Sequence, residues 1–270
     1  GHTMQRQYIA ALCALLLAEA ALAHNVWIRP SSTQLSGDKD YVTIDGGGAD
    51  FPFDVNHRGR PADGLHAYDP SGKEIEKENL MVGKLRTSYD VLLNQHGTYR
   101  FTDGIEYIQF NYPDDKGESA RWRGSPDKYK KENPMADKKR EKYKQFSLNA
   151  ETFATLGEPT DTVIKPDAKG LDFEYLTHPN ELYAGETATF RVLYDGKPLP
   201  DARVRLAKDG LRYRTHDFIE MKSDKDGKLT IDWPEPGMYW ISAEHEVPSE
   251  LVKNAPHTVE YIAGLEVLPL

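Results

Sequence analysis

A histidine that becomes the first residue of a processed chain is a strong candidate metal ligand, because its α-amine and ring Nδ1 close a chelate from a single residue. The 270-residue sequence sets His24 in that position. Met4 to Ala23 reads as a secretory signal peptide: Arg6 supplies the positive start, Ile9 to Leu17 is an almost unbroken apolar run, and Ala21-Leu22-Ala23 is a small-residue cleavage site. Gly1-His2-Thr3 stands before Met4 as an expression scar, so residues 1–23 are set aside from the fold. The expected location is the periplasm. One further histidine would complete a three-nitrogen site suited to Cu, Ni, Co or Zn, with an Fe chelate as a further possibility, so donor type alone does not select the metal. His57 lies in the polar loop Asn56-His57-Arg58-Gly59, His66 on a strand beside Tyr68, and His245 near the end of the strongest late strand. None pairs with another at helical ligand spacing, so any site must be assembled from distant strands.

Other chemistries find little support. The one cysteine, Cys13, falls within the signal peptide, so the processed chain has no disulfide, thiolate metal site or cysteine nucleophile. There is no Gly-x-Ser-x-Gly elbow, no His-Glu-x-x-His and no dinucleotide fingerprint, and a non-enzymatic protein is expected. A formal charge of −9 argues against nucleic acid. That charge is uneven: Asp114 to Lys144 holds eleven Lys and Arg against seven Asp and Glu. The stretch reads as a solvated excursion, with docking of an anionic chelate or lipid as the alternative. No segment after the signal peptide is long and apolar enough to cross a membrane.

The elements that would position such residues are strands. Asp40–Asp45, Leu65–Tyr68, Thr98–Thr102 and Tyr107–Tyr112 alternate or carry β-branched and aromatic residues between turn sequences such as Asp69-Pro70-Ser71-Gly72. Gly46-Gly47-Gly48 follows a strand without phosphate-loop neighbours and is expected to be a mobile loop. Residues 113–158 read as a lysine-rich, partly helical insertion, with a helix from about Met135 to Lys144, and Thr162-Val163-Ile164 reads as a further strand. The clearest alternation lies in Thr187–Tyr194, Ala202–Leu206, Leu229–Trp233, Met238–Ala243 and Val259–Leu268. Asp224-Lys225-Asp226-Gly227 resembles the start of a calcium loop, but a hairpin turn explains it. Trp233 and Trp240 are expected in the core. The chain is therefore expected to be all-β, with two immunoglobulin-like or transthyretin-like sandwiches at 24–112 and 159–270.

Four stretches carry a family resemblance: Thr177-His178-Pro179-Asn180-Glu181-Leu182-Tyr183-Ala184-Gly185-Glu186, Val192 to Leu199, Ser223 to Gly227, and Trp233-Pro234-Glu235-Pro236-Gly237-Met238-Tyr239-Trp240. Together with His24-x-x-Trp27-x-x-Pro30 and Arg121-Trp122-Arg123-Gly124, they resemble the DUF4198 family. The resemblance implies a secreted β protein that binds a transition metal ion or metal complex and assists its uptake, beside a TonB-dependent receptor or an inner-membrane transporter. Members nearest the nickel and cobalt systems carry Tyr-Gly-His-Pro-Phe where this chain has Gly48-Ala49-Asp50-Phe51-Pro52-Phe53. The absent histidine leaves His57 as the nearest replacement partner for His24, and His66 as the next. The alternative reading is an immunoglobulin-like envelope module that recognises a protein or glycan without metal.

Overall fold

The computed structural model describes residues 25–214 and 217–270, and its regular structure is almost wholly strand. The first half contains β1 (Asn25–Pro30), β2 (Gln34–Leu35), β3 (Asp40–Ala49), β4 (Leu65–Tyr68), β5 (Glu78–Val82), β6 (Thr87–Leu93), β7 (Gly97–Pro113), β8 (Ser119–Gly124), α1 (Pro126–Glu132) and β9 (Glu141–Leu156). The second half contains β10 (Leu171–Tyr175), β11 (Thr187–Tyr194), β12 (Lys197–Pro198), β13 (Arg203–Lys208), β14 (Ile219–Lys222), β15 (Lys228–Asp232), β16 (Gly237–Pro248) and β17 (Pro256–Val267).

These strands form three sheets. One has the order β1-β3-β6-β5, and a second joins β10, β11, β12 and β15. A central sheet of nine strands runs β14-β13-β16-β17-β9-β7-β4, with β2 on β9 and β8 on β7. Its middle is the parallel pairing of β17 with β9, from His257 opposite Gln145 to Gly264 opposite Thr152. Strand alternation then feeds two cores from one sheet. Leu148, Ala150, Trp240 and Ile262 join Trp27, Ile28, Val42 and Ile44 beneath the first small sheet. Phe153, Ile241, Tyr261 and Ala263 join Phe173, Phe190 and Ile231 beneath the second. Trp233 and Trp240 are buried, as their strand positions imply.

Three local expectations are corrected. Gly46, Gly47 and Gly48 are not a mobile loop but the end of β3, paired with Ile28, Trp27 and Val26. A Cβ on Gly47 would stand 3.0 Å from the Trp27 indole, so the glycine clears the surface on which that ring lies. The helix is at Pro126–Glu132 rather than Met135–Lys144: Ser125 Oγ accepts from Lys128 N at 3.1 Å, and Asn133 ends the helix with φ 39° just before Pro134. The lysines after it lead into β9, whose burial demands extended backbone. Residues 162–164 form a turn, although Val163 is buried. The whole stretch 113–158 thus contributes β8, α1 and β9, and β9 lies at the centre of the largest sheet.

Candidate functional site

The loop that follows β3 is closed at its base by two backbone bonds: Gly48 N donates to Arg58 O at 2.8 Å, and Arg58 N donates to Gly48 O at 3.0 Å. Phe53 turns its backbone through φ 71° and packs edge-on against Trp27 at 5.8 Å. Trp27 Nε1 donates to Asp54 O at 3.1 Å, and Arg29 lies 5.2 Å over the Phe53 ring. The loop is therefore packed rather than open, and it presents Asp50, Asp54 and a half-buried His57. Burial raises the Asp54 carboxyl above its ordinary range, against the pull of Arg212.

His24 lies outside the described residues. Its neighbour Asn25 is paired with Ala49 and donates from Nδ2 to Asp50 O at 2.8 Å, which pins the start of β1 at the entrance of the His57 loop. His66, on β4, is elsewhere: Nδ1 donates to Glu74 Oε1 at 2.5 Å, and the ring stacks on Tyr68 at 6.3 Å. That bond holds the Glu74 carboxyl below its ordinary value. Among the described residues no three His, Asp or Glu side chains converge as a metal-holding group. His57 and His66 are thus not brought together with a third ligand there.

Sequence reasoning missed a cleft of about 780 Å³ on the second-core face of the central sheet. Its floor is Glu106 of β7, Gln145, Ser147 and Asn149 of β9, and His257 of β17. One wall is Asp167 to Leu171 with Asp195, and the other is the turn between β16 and β17 with Glu250. Gln145 ties floor to wall: its Nε2 donates to Glu106 Oε1 at 2.9 Å, and its Oε1 accepts from Ser249 Oγ at 2.8 Å. The lining holds five acidic residues against Lys169 alone, a balance that suits a cationic ligand.

Ser147 Oγ and His257 Nε2 share a hydrogen bond of 2.7 Å in this cleft. Burial lowers the His257 pKa, with Glu106 and Glu250 opposing that shift. The pair has the spacing of a nucleophile and base, but β9 is laddered to β7 on one side and β17 on the other. Its backbone N–H groups are spent in those ladders, so β9 itself adds no oxyanion donors beside Ser147. Nor does any described carboxylate hydrogen-bond the His257 ring.

Deeper in the second core, Arg100 Nε donates to Glu151 Oε1 at 3.2 Å, and Tyr175 and Tyr261 share a hydroxyl bond of 2.5 Å. Glu151 Oε2 is buried with no hydrogen-bond partner among the described residues. Burial pushes the Glu151 carboxyl up to about 8 despite Arg100, and Asp172 up to about 6.

Fold and sites together define an all-β sandwich protein with a packed acidic loop at one end and an acidic cleft on its central sheet. The chain belongs to the family described as Domain of unknown function (DUF4198), whose profile matches residues 21–247. No curated protein matches. Among solved structures, activated Escherichia coli alpha-2-macroglobulin is similar over 92% of this chain at 11% identity with a TM-score of 0.24. This chain spans only 20% of that one. The D0-D1 domain of Intimin matches at 10% identity and a TM-score of 0.20, covering 88% of this chain and 98% of that one. A DUF4785 family protein from Legionella pneumophila matches at 10% identity and a TM-score of 0.23, over 80% of this chain and 50% of that one.

Proposed function

We propose that this is a non-catalytic protein of the cell envelope that binds a transition metal, as the free ion or as a cationic complex, and passes it to or from an envelope transport system. The observation that carries the reading is the placement of Asn25 against Asp50, at the entrance of the loop that presents Asp54 and His57. Cleavage after Ala23 gives His24 a free α-amine one residue from that point. That amine and the His24 imidazole would add to the His57 imidazole and the carboxylates of the loop, a donor set for borderline metals such as Cu, Ni, Co and Zn. A bulkier cationic chelate, of Fe for example, fits the acidic cleft instead, whose volume is that of a small-molecule site.

Calorimetric titration of Cu(II), Ni(II), Co(II) and Zn(II) into processed protein beginning at His24 tests the reading. Binding with Kd below about 10 µM is expected. It should weaken as pH falls through about 8 and about 6.5, where amine and imidazole take up protons. His57→Ala should weaken the free ion, while Glu106→Gln with Glu250→Gln should weaken only a complex. No binding of any ion or chelate would sink the proposal.

A second reading has its own support. Strand β5 is exposed along its whole length, with Leu80, Met81 and Val82 at 41%, 47% and 53% exposure on an open sheet edge. Such an edge can take an added strand from a protein partner with no metal involved. Pull-down with Met81→Lys protein separates the two, because metal affinity would be unchanged while partner capture is lost.

A further inference from the structure

Beyond the two cores, β7, β8 and β9 continue as a three-stranded extension whose two faces differ sharply. One face is apolar, where Phe110, Trp122, Tyr129 and Tyr143 pack with Ile108 and Val252. The other is cationic. Register sets Arg123 and Lys144 on either side of Gln109, and Arg121 opposite Asn111. Arg123 Nε and Nη2 both donate to Gln109 Oε1, at 3.1 and 2.9 Å, which aims the guanidinium across the sheet. Its Cζ lies 3.9 Å over the Tyr107 ring, and Lys144 Nζ lies 5.9 Å over the same ring. Two cations therefore share one aromatic ring.

What they lack is a carboxylate. Lys138 and Lys139, nearby in sequence, are ion-paired with Asp115 and Glu141. Among the described residues Arg121, Arg123 and Lys144 have no such partner, although the chain as a whole is acidic. Like charges gathered on one face of a sheet repel one another. Here that repulsion is felt: burial, then Arg123 and Arg121, lowers the Lys144 pKa. The surrounding stretch 119–144 holds ten Lys and Arg against four Asp and Glu, so no local excess of acid offsets it.

We propose that Arg121, Arg123 and Lys144, with Tyr107 as their floor, form a binding site for a phosphate group. An oxyanion seated between them relieves the repulsion. It also meets the guanidinium donors that Gln109 leaves unspent, in the planar fork that phosphate accepts. Arg121 and Arg123 are exposed, so the phosphate can belong to a free small molecule or to a lipid headgroup. The site is independent of the metal reading: it lies on the other face of the central sheet from the cleft and uses none of the same residues.

The probes are inorganic phosphate and glycerol phosphate by NMR titration, and phosphatidylglycerol against phosphatidylcholine vesicles by flotation, using full processed protein. At least one phosphate source should bind, more weakly as salt rises. Arg121→Gln/Arg123→Gln/Lys144→Gln should lose about a hundredfold of vesicle affinity, on about fivefold for each cation near an anionic surface. The charge-keeping Arg121→Lys/Arg123→Lys protein should retain most of it, which separates loss of charge from loss of fold. Saturation by free phosphate alone assigns a soluble ligand, and binding to phosphatidylglycerol alone assigns a lipid; both support the site. Failure of every probe, or binding that the triple substitution leaves unchanged, overturns it.

Discussion

Glu151 gives the sharpest physical prediction. It sits in mid-β9, buried between the central sheet and the second small sheet, with Arg100 of β7 on one oxygen and no hydrogen bond on the other. Asp172 of β10, Asp167 in the preceding loop and Tyr261 of β17 face it. Burial dominates, Arg100 opposes it, and the carboxyl is pushed up from 4.5 to about 8. A raised folded-state value means that the native protein holds a proton the unfolded chain has released. The associated stability is fully present below about pH 4.5 and is lost as pH rises through about 8. At about 1.36 kcal/mol per pH unit the loss is roughly 4–5 kcal/mol across that window, for a side chain too buried to be screened by solvent. Glu151→Gln removes the titration. Asp172, raised to about 6, still titrates in the variant, so the difference between the two proteins is the observable. Urea unfolding followed by fluorescence of the buried Trp27, Trp233 and Trp240 between pH 5 and 9 measures it. The variant should gain on the wild type steadily with pH. Parallel curves would refute the argument.

Gly264→Ala should cost more than about 3 kcal/mol, because its Cβ would stand 1.9 Å from Ile28 O, where only backbone could yield; a thermal melt reads it. The Arg60 to Asp103 pair, at 2.6 Å and with both side chains buried, should lose about 3–5 kcal/mol when Arg60→Met leaves Asp103 unpaired. Adding Asp103→Leu should recover much of that loss in denaturant titrations. Ser147→Ala should leave the fold intact and its stability within about 0.5 kcal/mol of wild type while altering the titration of His257 seen by NMR.

The late strands were legible because each has one buried face. In β11 the core takes Ala188, Phe190 and Val192 and leaves Thr187 and Thr189 outward, so the period of two survives in the sequence. The central strand β9 was not legible. From Ala150 to Leu156 it is buried on both faces, and such strands ordinarily read as continuous apolar runs. Here Glu151, Thr152 and Thr155 interrupt the run. Each meets a distant partner: Arg100 on one oxygen of Glu151, the Gly264 carbonyl, which Thr152 Oγ1 reaches at 2.8 Å, and Asn180 Oδ1 at 2.7 Å from Thr155 Oγ1. No local pattern announces partners of that kind. The glycines of β3 misled for a related reason, since the Trp27 ring that needs them comes from another strand. The His57 loop could be read as a polar loop beside a strand, whereas the cleft draws its lining from β7, β9, β17 and the loops around Asp167, Asp195 and Glu250.

The parallel seam between β9 and β17 also governs how the chain reaches this state. Ile28, near the beginning of the described chain, packs its carbonyl against Gly264, near its end. The first core therefore includes Ile262, which arrives only with β17, and neither core is complete while that strand is missing. Contacts so distant in sequence bear their loop-closure entropy before they return any stabilisation, so folding is slow and late. A chain of this design stays pliable until its last strand docks. Shortening it by the length of β17 would leave two open half-cores rather than one finished sandwich.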